Sequence, residues 1–219
     1  MGLTIIFWKM NDQAGESHAT AESLPIVIFR SSHATRLAQL EATKKDLEFS
    51  RDCLKAIDDS PEEGVQLRAL WSSALVSYVR GLHDKRRKWV RKHLESLIEE
   101  LPGEPLELHR WLKDMRDKNI AHDINPYDDV TVTLVLPPEG RDDIEPRVGV
   151  FFRLFLGSPD NVPSMLRLIN TMLSELPRMI KAEGIEVLKE ANSKSMAELR
   201  TLPPHLSTAP GPSQAKKTR

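Results

Sequence analysis

The chain has 219 residues, of which 40% are hydrophobic and 29% are charged, and its formal net charge is −1. This length is sufficient for one full hydrophobic core, and the composition is that of an ordinary soluble globular protein. The near-zero net charge excludes a protein that coats nucleic acid through bulk charge, so any such contact requires a local basic patch. The single cysteine, Cys53, excludes an internal disulfide framework and favours a reducing compartment.

Residues 1–32 predict a poorly specified N-terminal arm, in which two short apolar pieces, LTIIFW and LPIVIF, flank a polar stretch. The two pieces fit either a docked strand pair or a loose arm. No basic residue precedes LTIIFW, and the piece is far shorter than the ~18 residues needed to cross a bilayer. We therefore expect no signal peptide, no membrane contact and a cytoplasmic location.

Residues 33–183 predict a helical bundle, because apolar residues recur there at helical spacing in five segments. Ser60 and Pro61 are typical of the N-cap and first residue of a helix. On the fourth segment Leu108, Leu112 and Met115 form the expected inner stripe. The predicted helices are Ala34–Ile57, Pro61–Leu82, Asp84–Leu101, Pro105–His122 and a last core helix around Met165–Ile180.

Between the fourth and last core helices the apolar period changes from helical to two. Val130–Leu136 and Val148–Leu156 alternate in this way and are joined by PPEGRDDIEP, which predicts an antiparallel β-hairpin with a long turn. We expect one alternating face of the hairpin to pack on the bundle. The fold class is then mainly α, an up-and-down helical bundle with an inserted β-hairpin at about 130–156. Residues 184–219 predict a weak helix, over about 185–199, and a disordered Pro/Ser-rich tail.

The end of the fourth predicted helix carries the stretch MRDKNIAHD. Arg116, Asn119 and His122 recur at three-residue intervals and would form a ridge on a helix, with Asp123 almost directly below Arg116. The helix dipole favours a protonated His122 at this end. An arginine that binds phosphate beside a histidine that transfers a proton is the chemistry needed to cleave RNA without a metal ion.

A second interpretation of the same stretch is structural. Arg116 would pair with Asp123 or with a carboxylate of the bundle, and His122 would cap the helix through a backbone carbonyl. The seven histidines and one cysteine show no HExxH or CxxC spacing, and the chain has no P-loop or GxGxxG motif. We therefore predict no metal site and no cofactor.

The run HDKRRKWVRKH, His83 to His93, concentrates positive charge on the third predicted helix. It fits a contact with the RNA backbone, with Trp89 available for stacking. It also fits a solvated helix face balanced by neighbouring glutamates, which is the more usual role of a charge run. The candidate RNA-binding residues here and on the preceding turn are Arg80, Lys85, Arg86, Arg87, Lys88 and Arg91.

MRDKNIAH, after an amphipathic helix, resembles the R-x(4–6)-H motif of the HEPN superfamily (higher eukaryotes and prokaryotes nucleotide-binding domains), in the form of its abortive-infection-like bacterial branch. ALWSSALVSYVRGLHDKRRK resembles the second bundle helix of that group, which leads to a Tyr-x-Arg element, here Tyr78 and Arg80. The resemblance covers roughly Ala34 to Ile180.

The resemblance implies a four-helix up-and-down core, a homodimer in which the motifs face each other, and metal-independent endoribonuclease activity in toxin–antitoxin or phage-defence systems. Arg116 and His122 would be catalytic, and Asp117 would support them. An antitoxin or a nucleotidyltransferase would be a partner. Other members of the superfamily are non-catalytic modules that bind RNA or protein. Asp117 stands where asparagine is frequent, so it needs pairing with Lys113 or Lys118 if a phosphate is to bind nearby.

Overall fold

The computed structural model of the chain describes residues 26–59, 64–83, 87–103, 105–120, 129–136, 139, 147–153 and 159–204. These residues are mainly helical, which confirms the predicted fold class. None of their helices combines the length and the apolarity needed to cross a membrane. The elements are α1 (Ser32–Asp59), α2 (Val65–His83), α3 (Lys88–Glu99), α4 (Pro105–Met115), a π-helical turn (Arg116–Ile120), β1 (Asp129–Val135), β2 (Arg147–Arg153), a 3₁₀ turn (Pro159–Asn161), α5 (Val162–Asn192) and α6 (Met196–Arg200).

The described residues fall into two compact units, one within 38–179 and one made of 26–37 with 180–204. In the smaller unit Val27 forms an antiparallel bridge with Pro204. Its Glu183 accepts from His33 at 2.7 Å and pairs with Arg36 at 3.0 Å. The end of the N-terminal arm is therefore paired with the segment that follows α6, whereas residues 1–25 lie outside the described residues.

The larger unit has a helical core, because each of its helices buries the apolar stripe that its sequence period predicts. Tyr78 of α2 is fully buried, as its place on the broad apolar face of that helix indicates. The buried apolar side chains include Leu40, Leu47, Leu54 and Ile57 on α1, Trp71, Leu75 and Leu82 on α2, Val90, Leu94 and Ile98 on α3, Leu112 and Met115 on α4, and Met165, Ile169, Met172 and Leu176 on α5.

Helices α1 and α2 approach each other closely along a seam of small and polar residues. The hydroxyl of Thr43 donates to the carbonyl oxygen of Gly81 at 3.1 Å, and that of Ser50 donates to the carbonyl oxygen of Ala74 at 2.8 Å. A Cβ atom on Gly81 would lie 3.4 Å from the Cβ of Asp46, an ordinary van der Waals contact, so the two helices leave room for a methyl group here but not for a larger side chain. The seam fixes the C-terminal end of α2, where His83 lies.

The two helices predicted around Met165–Ile180 and over about 185–199 are arranged differently in the structure. A single helix, α5, runs from Val162 to Asn192 through Pro177. A glycine inside a helix costs only about 1 kcal/mol, so Gly184 does not end it. The next helix, α6, begins at Met196 and is capped by Ser195, whose hydroxyl oxygen accepts from the backbone N–H of Glu198 in a capping box.

The two strands pair antiparallel, with Val132 opposite Val150 and Leu134 opposite Val148, which confirms the predicted pairing. The connecting turn lies mostly outside the described residues. The predicted packing of this alternating face is wrong for these four side chains, which are 50–71% exposed. A period of two determines which face is apolar, but it does not supply a layer to cover that face.

Candidate functional site

The RNA-cleavage motif begins where α4 changes its helical form. Arg116–Ile120 is a π-helical turn that directly follows Met115 and contacts α2. Single π turns within or after α-helices are frequent at functional sites. Because a π-helix pairs residues five apart, the ridge expected from α-helical spacing of Arg116 and Asn119 does not apply over this turn. His122 and Asp123 lie outside the described residues.

Asp117 is neutralised by two cations. One carboxylate oxygen lies 3.1 Å from Lys113 Nζ and the other lies 3.1 Å from Arg116 Nη2. Lys118 instead lies 3.9 Å from Asp114. The pairing that a phosphate site requires of Asp117 is therefore made by Lys113, and these three side chains together carry one net positive charge.

The guanidinium of Arg116 has N–H donors beyond those that its contact with Asp117 engages. Its side chain is 33% exposed. Its Nε atom is buried and has no acceptor among the residues that the structure describes. Because a guanidinium offers five N–H donors, the contact with Asp117 leaves several for an incoming oxyanion.

Two histidines that are not among the predicted site residues meet beside this turn. His109 of α4 is buried, and its Nδ1 lies 2.7 Å from the hydroxyl of Tyr78. Its Nε2 lies 3.3 Å from Nε2 of His83, and the two rings are stacked with centroids 5.1 Å apart. Glu95 of α3 has a carboxylate oxygen 3.8 Å from the same His109 nitrogen. Helices α2, α3 and α4 thus each contribute to one cluster.

Both imidazoles are neutral at pH 7. Burial, followed by the charges of Lys113 and Arg91, lowers the pKa of His83 from 6.5 to about 4. Burial, followed by the neighbouring His83, lowers the pKa of His109 from 6.5 to about 4. Burial and the charge of Glu95 raise the pKa of Tyr78 well above 10.0, so its hydroxyl keeps its proton. The cluster can therefore accept protons or donate nitrogen lone pairs.

The basic run does not form one continuous surface among the described residues. Arg80 and Arg87 both donate to Asp46 of α1, at 3.0 and 2.7 Å. Arg91 lies 3.7 Å from Glu95, and Lys88 is exposed. Lys85 and Arg86 lie outside the described residues. The candidate RNA-binding residues are thus divided between an ion-pair network and the solvated face of α3.

The inner face of α4 differs from the predicted stripe in one position. His109, Leu112 and Met115 are the buried residues of this helix, whereas Leu108 is only partly buried. His109 lies three residues before Leu112, and this spacing is the signal that could have placed the histidine inside. No family of proteins, no curated protein and no solved structure matches this chain in direct comparison.

Proposed function

We propose that this protein is a HEPN-like RNA-acting protein, a metal-independent endoribonuclease of a toxin–antitoxin or phage-defence type. The observation that carries the proposal is the state of Arg116, whose side chain is 33% exposed and whose pairing with Asp117 through Nη2 leaves other N–H donors of the guanidinium for a ligand. A phosphate oxygen suits these donors, since arginine binds phosphate through parallel N–H···O bonds. Lys113 supports this binding by sharing the charge of Asp117.

In the proposed reaction the ribose 2′-hydroxyl oxygen attacks the adjacent phosphorus, and the bond from phosphorus to the 5′-oxygen of the next nucleoside breaks. The attacking hydroxyl loses a proton and the leaving oxygen gains one. His122 transfers the proton, and Arg116 stabilises the negative charge that develops on the phosphate oxygens. The products carry a 2′,3′-cyclic phosphate and a 5′-hydroxyl.

The experiment is cleavage of total RNA by wild type and variants in the presence of EDTA. His122→Ala and Arg116→Ala should each lower the cleavage rate about 100-fold or more, the usual effect of losing a group that acts in the transition state. The matched controls are His93→Ala and Arg110→Ala, which remove a histidine of α3 and an exposed arginine of α4. Equal cleavage by wild type and folded His122→Ala would remove the proposal.

The second candidate function is a non-catalytic HEPN-like module that binds RNA or protein. One observation favours it: the residues of the Tyr-x-Arg element have structural contacts, since Tyr78 is buried against His109 and Arg80 binds Asp46. This function predicts RNA or protein binding without cleavage by wild type, together with a His122→Ala defect in dimerisation.

The proposal includes a homodimer in the cytoplasm, with an antitoxin or a nucleotidyltransferase as a further partner. The HEPN-like motif supports the dimer and the partner. The single cysteine supports the compartment, because Cys53 is buried as a free thiol. Purification of the protein from its native cells, followed by identification of co-purifying chains, tests the partner.

A further inference from the structure

We propose that His83, Glu95 and His109 form a binding site for one divalent transition-metal ion, of the zinc or cobalt type. Their ligand atoms all lie within 4.8 Å of one another. The reaction proposed for Arg116 and His122 has no step at this site. The two proposals therefore stand or fall independently.

The distance between the two histidine nitrogens agrees with a tetrahedral metal. Two nitrogens bound to zinc at 2.0–2.1 Å, at a tetrahedral angle, lie about 3.3–3.4 Å apart. The Nε2 atoms of His83 and His109 lie 3.3 Å apart. The separation of the two nitrogens therefore fits one shared ion. Because the rings are stacked, one of them must turn so that both lone pairs point at that ion.

Glu95 supplies the third ligand and the negative charge. Its oxygen lies 3.8 Å from Nε2 of His109. A bound ion would require separations of about 3.4 Å from both histidine nitrogens, so the carboxylate oxygen must approach His109 by about 0.4 Å and also come within that distance of His83, from which it lies no more than 4.8 Å. It lies at the outer side of the cluster, where it also pairs with Arg91 at 3.7 Å. Such a partly exposed ion pair is weak enough to be replaced by a metal bond.

Tyr78 acts as the outer partner that orients one ligand. Histidines that bind metal usually hold their second ring nitrogen in a hydrogen bond, which fixes the ring and its tautomer. The hydroxyl oxygen of Tyr78 lies 2.7 Å from Nδ1 of His109. With the proton on Nδ1, this nitrogen donates to Tyr78 and leaves the Nε2 lone pair for the ion. If the proton of the neutral imidazole is on Nε2 before the ion binds, it moves to Nδ1 when the ion binds, and the ring releases no proton to solvent.

The surrounding charges determine what completes the coordination. Arg91, Lys113 and Arg116 face two carboxylates, Glu95 and Asp117, which leaves one net positive charge before an ion binds. A divalent ion adds two more, so an anion is favoured at the fourth position. Two histidines and one glutamate with an open position form a ligand set that proteins use for zinc. Imidazole nitrogen also suits cobalt and nickel.

The test uses the full chain, stripped with EDTA and then dialysed, and titrated with Zn²⁺ by calorimetry and with Co²⁺ by visible absorption. Wild type should bind one equivalent, with cobalt bands typical of a tetrahedral site. His83→Ala and Glu95→Gln should each weaken binding by more than the ~10–100-fold that loss of an outer partner costs. His93→Ala is the matched control. His93 lies 3.7 Å from a glutamate, Glu175, but does not belong to the cluster of His83, Glu95 and His109.

Circular dichroism establishes that each variant is folded. His83 and Glu95 are both partly exposed and neither belongs to the buried apolar core, so His83→Ala and Glu95→Gln should leave that core intact. We expect His83→Ala and Glu95→Gln to lose the one bound metal ion per chain, and His93→Ala to retain it. Absence of binding by wild type, or binding that survives His83→Ala or Glu95→Gln, would overturn the site.

Discussion

Replacement of Asp46 by alanine should destabilise the bundle by about 3 kcal/mol. The carboxylate of Asp46 is 9% exposed and accepts from Arg87 at 2.7 Å and from Arg80. A hydrogen bond to a charged group contributes roughly 1.5–3 kcal/mol. Arg87 is 12% exposed and contributes at the upper end, whereas Arg80 is 57% exposed and returns to water at little cost. Asp46→Asn keeps an acceptor oxygen without the charge, so it should lower the free energy of unfolding by about half as much as Asp46→Ala does.

The assay is urea unfolding followed by circular dichroism, with the midpoint and the slope m fitted separately. Asp52→Ala is the matched control, because Asp52 lies on the same helix, is 63% exposed and pairs only with a neighbouring arginine among the contacts described. The control should change the free energy of unfolding by less than about 0.5 kcal/mol. An Asp46→Ala effect equal to that of the control would refute the assignment of a structural role to the Asp46 network.

Three further measurements test the buried histidine, the α1–α2 seam and the proposed dimer. As the pH falls from 6.5 to about 4, the free energy of unfolding should decrease by about 3 kcal/mol more for wild type than for His109→Gln, measured by urea unfolding in EDTA. The reason is that the unfolded chain protonates an imidazole that stays neutral in the folded chain. Equal decreases for the two proteins would contradict this. Gly81→Leu should destabilise by about 1–3 kcal/mol in thermal melting, while Gly81→Ala is tolerated, since the atoms beyond Cβ meet α1. Wild type should be a dimer by light scattering at micromolar concentration, and a monomer throughout would remove an interface shared through His122.

The helices of the larger unit could be predicted from the sequence because each one buries a stripe with the helical period. Leu40, Leu47 and Leu54 recur every seven residues and are all fully buried. The same reasoning placed the strands, since Val132 and Leu134 alternate with threonines. It could not supply a partner for that strand face, because burial depends on which layer lies opposite, and local periodicity does not contain this information.

The candidate site was only partly predictable. The candidate role of Arg116 and the pairing of Asp117 with Lys113 could be predicted, because these residues lie within about one turn of each other in sequence. The meeting of His83 with His109 depends on the packing of α2 against α4, across 26 residues of sequence. No local spacing marks such a contact. The π turn after Met115 also follows no simple sequence rule and changes the predicted ridge.

The proposed cleavage is tested most directly by a chemical change in the RNA. An RNA that the protein cleaves at one mapped bond is compared, in EDTA, with the same RNA carrying a 2′-deoxyribose immediately 5′ of that bond. Removal of the attacking hydroxyl should abolish cleavage there, and the unmodified RNA should yield a 2′,3′-cyclic phosphate. Continued cleavage at the deoxyribose, or products that end in a 3′-hydroxyl, would contradict the reaction assigned to Arg116 and His122.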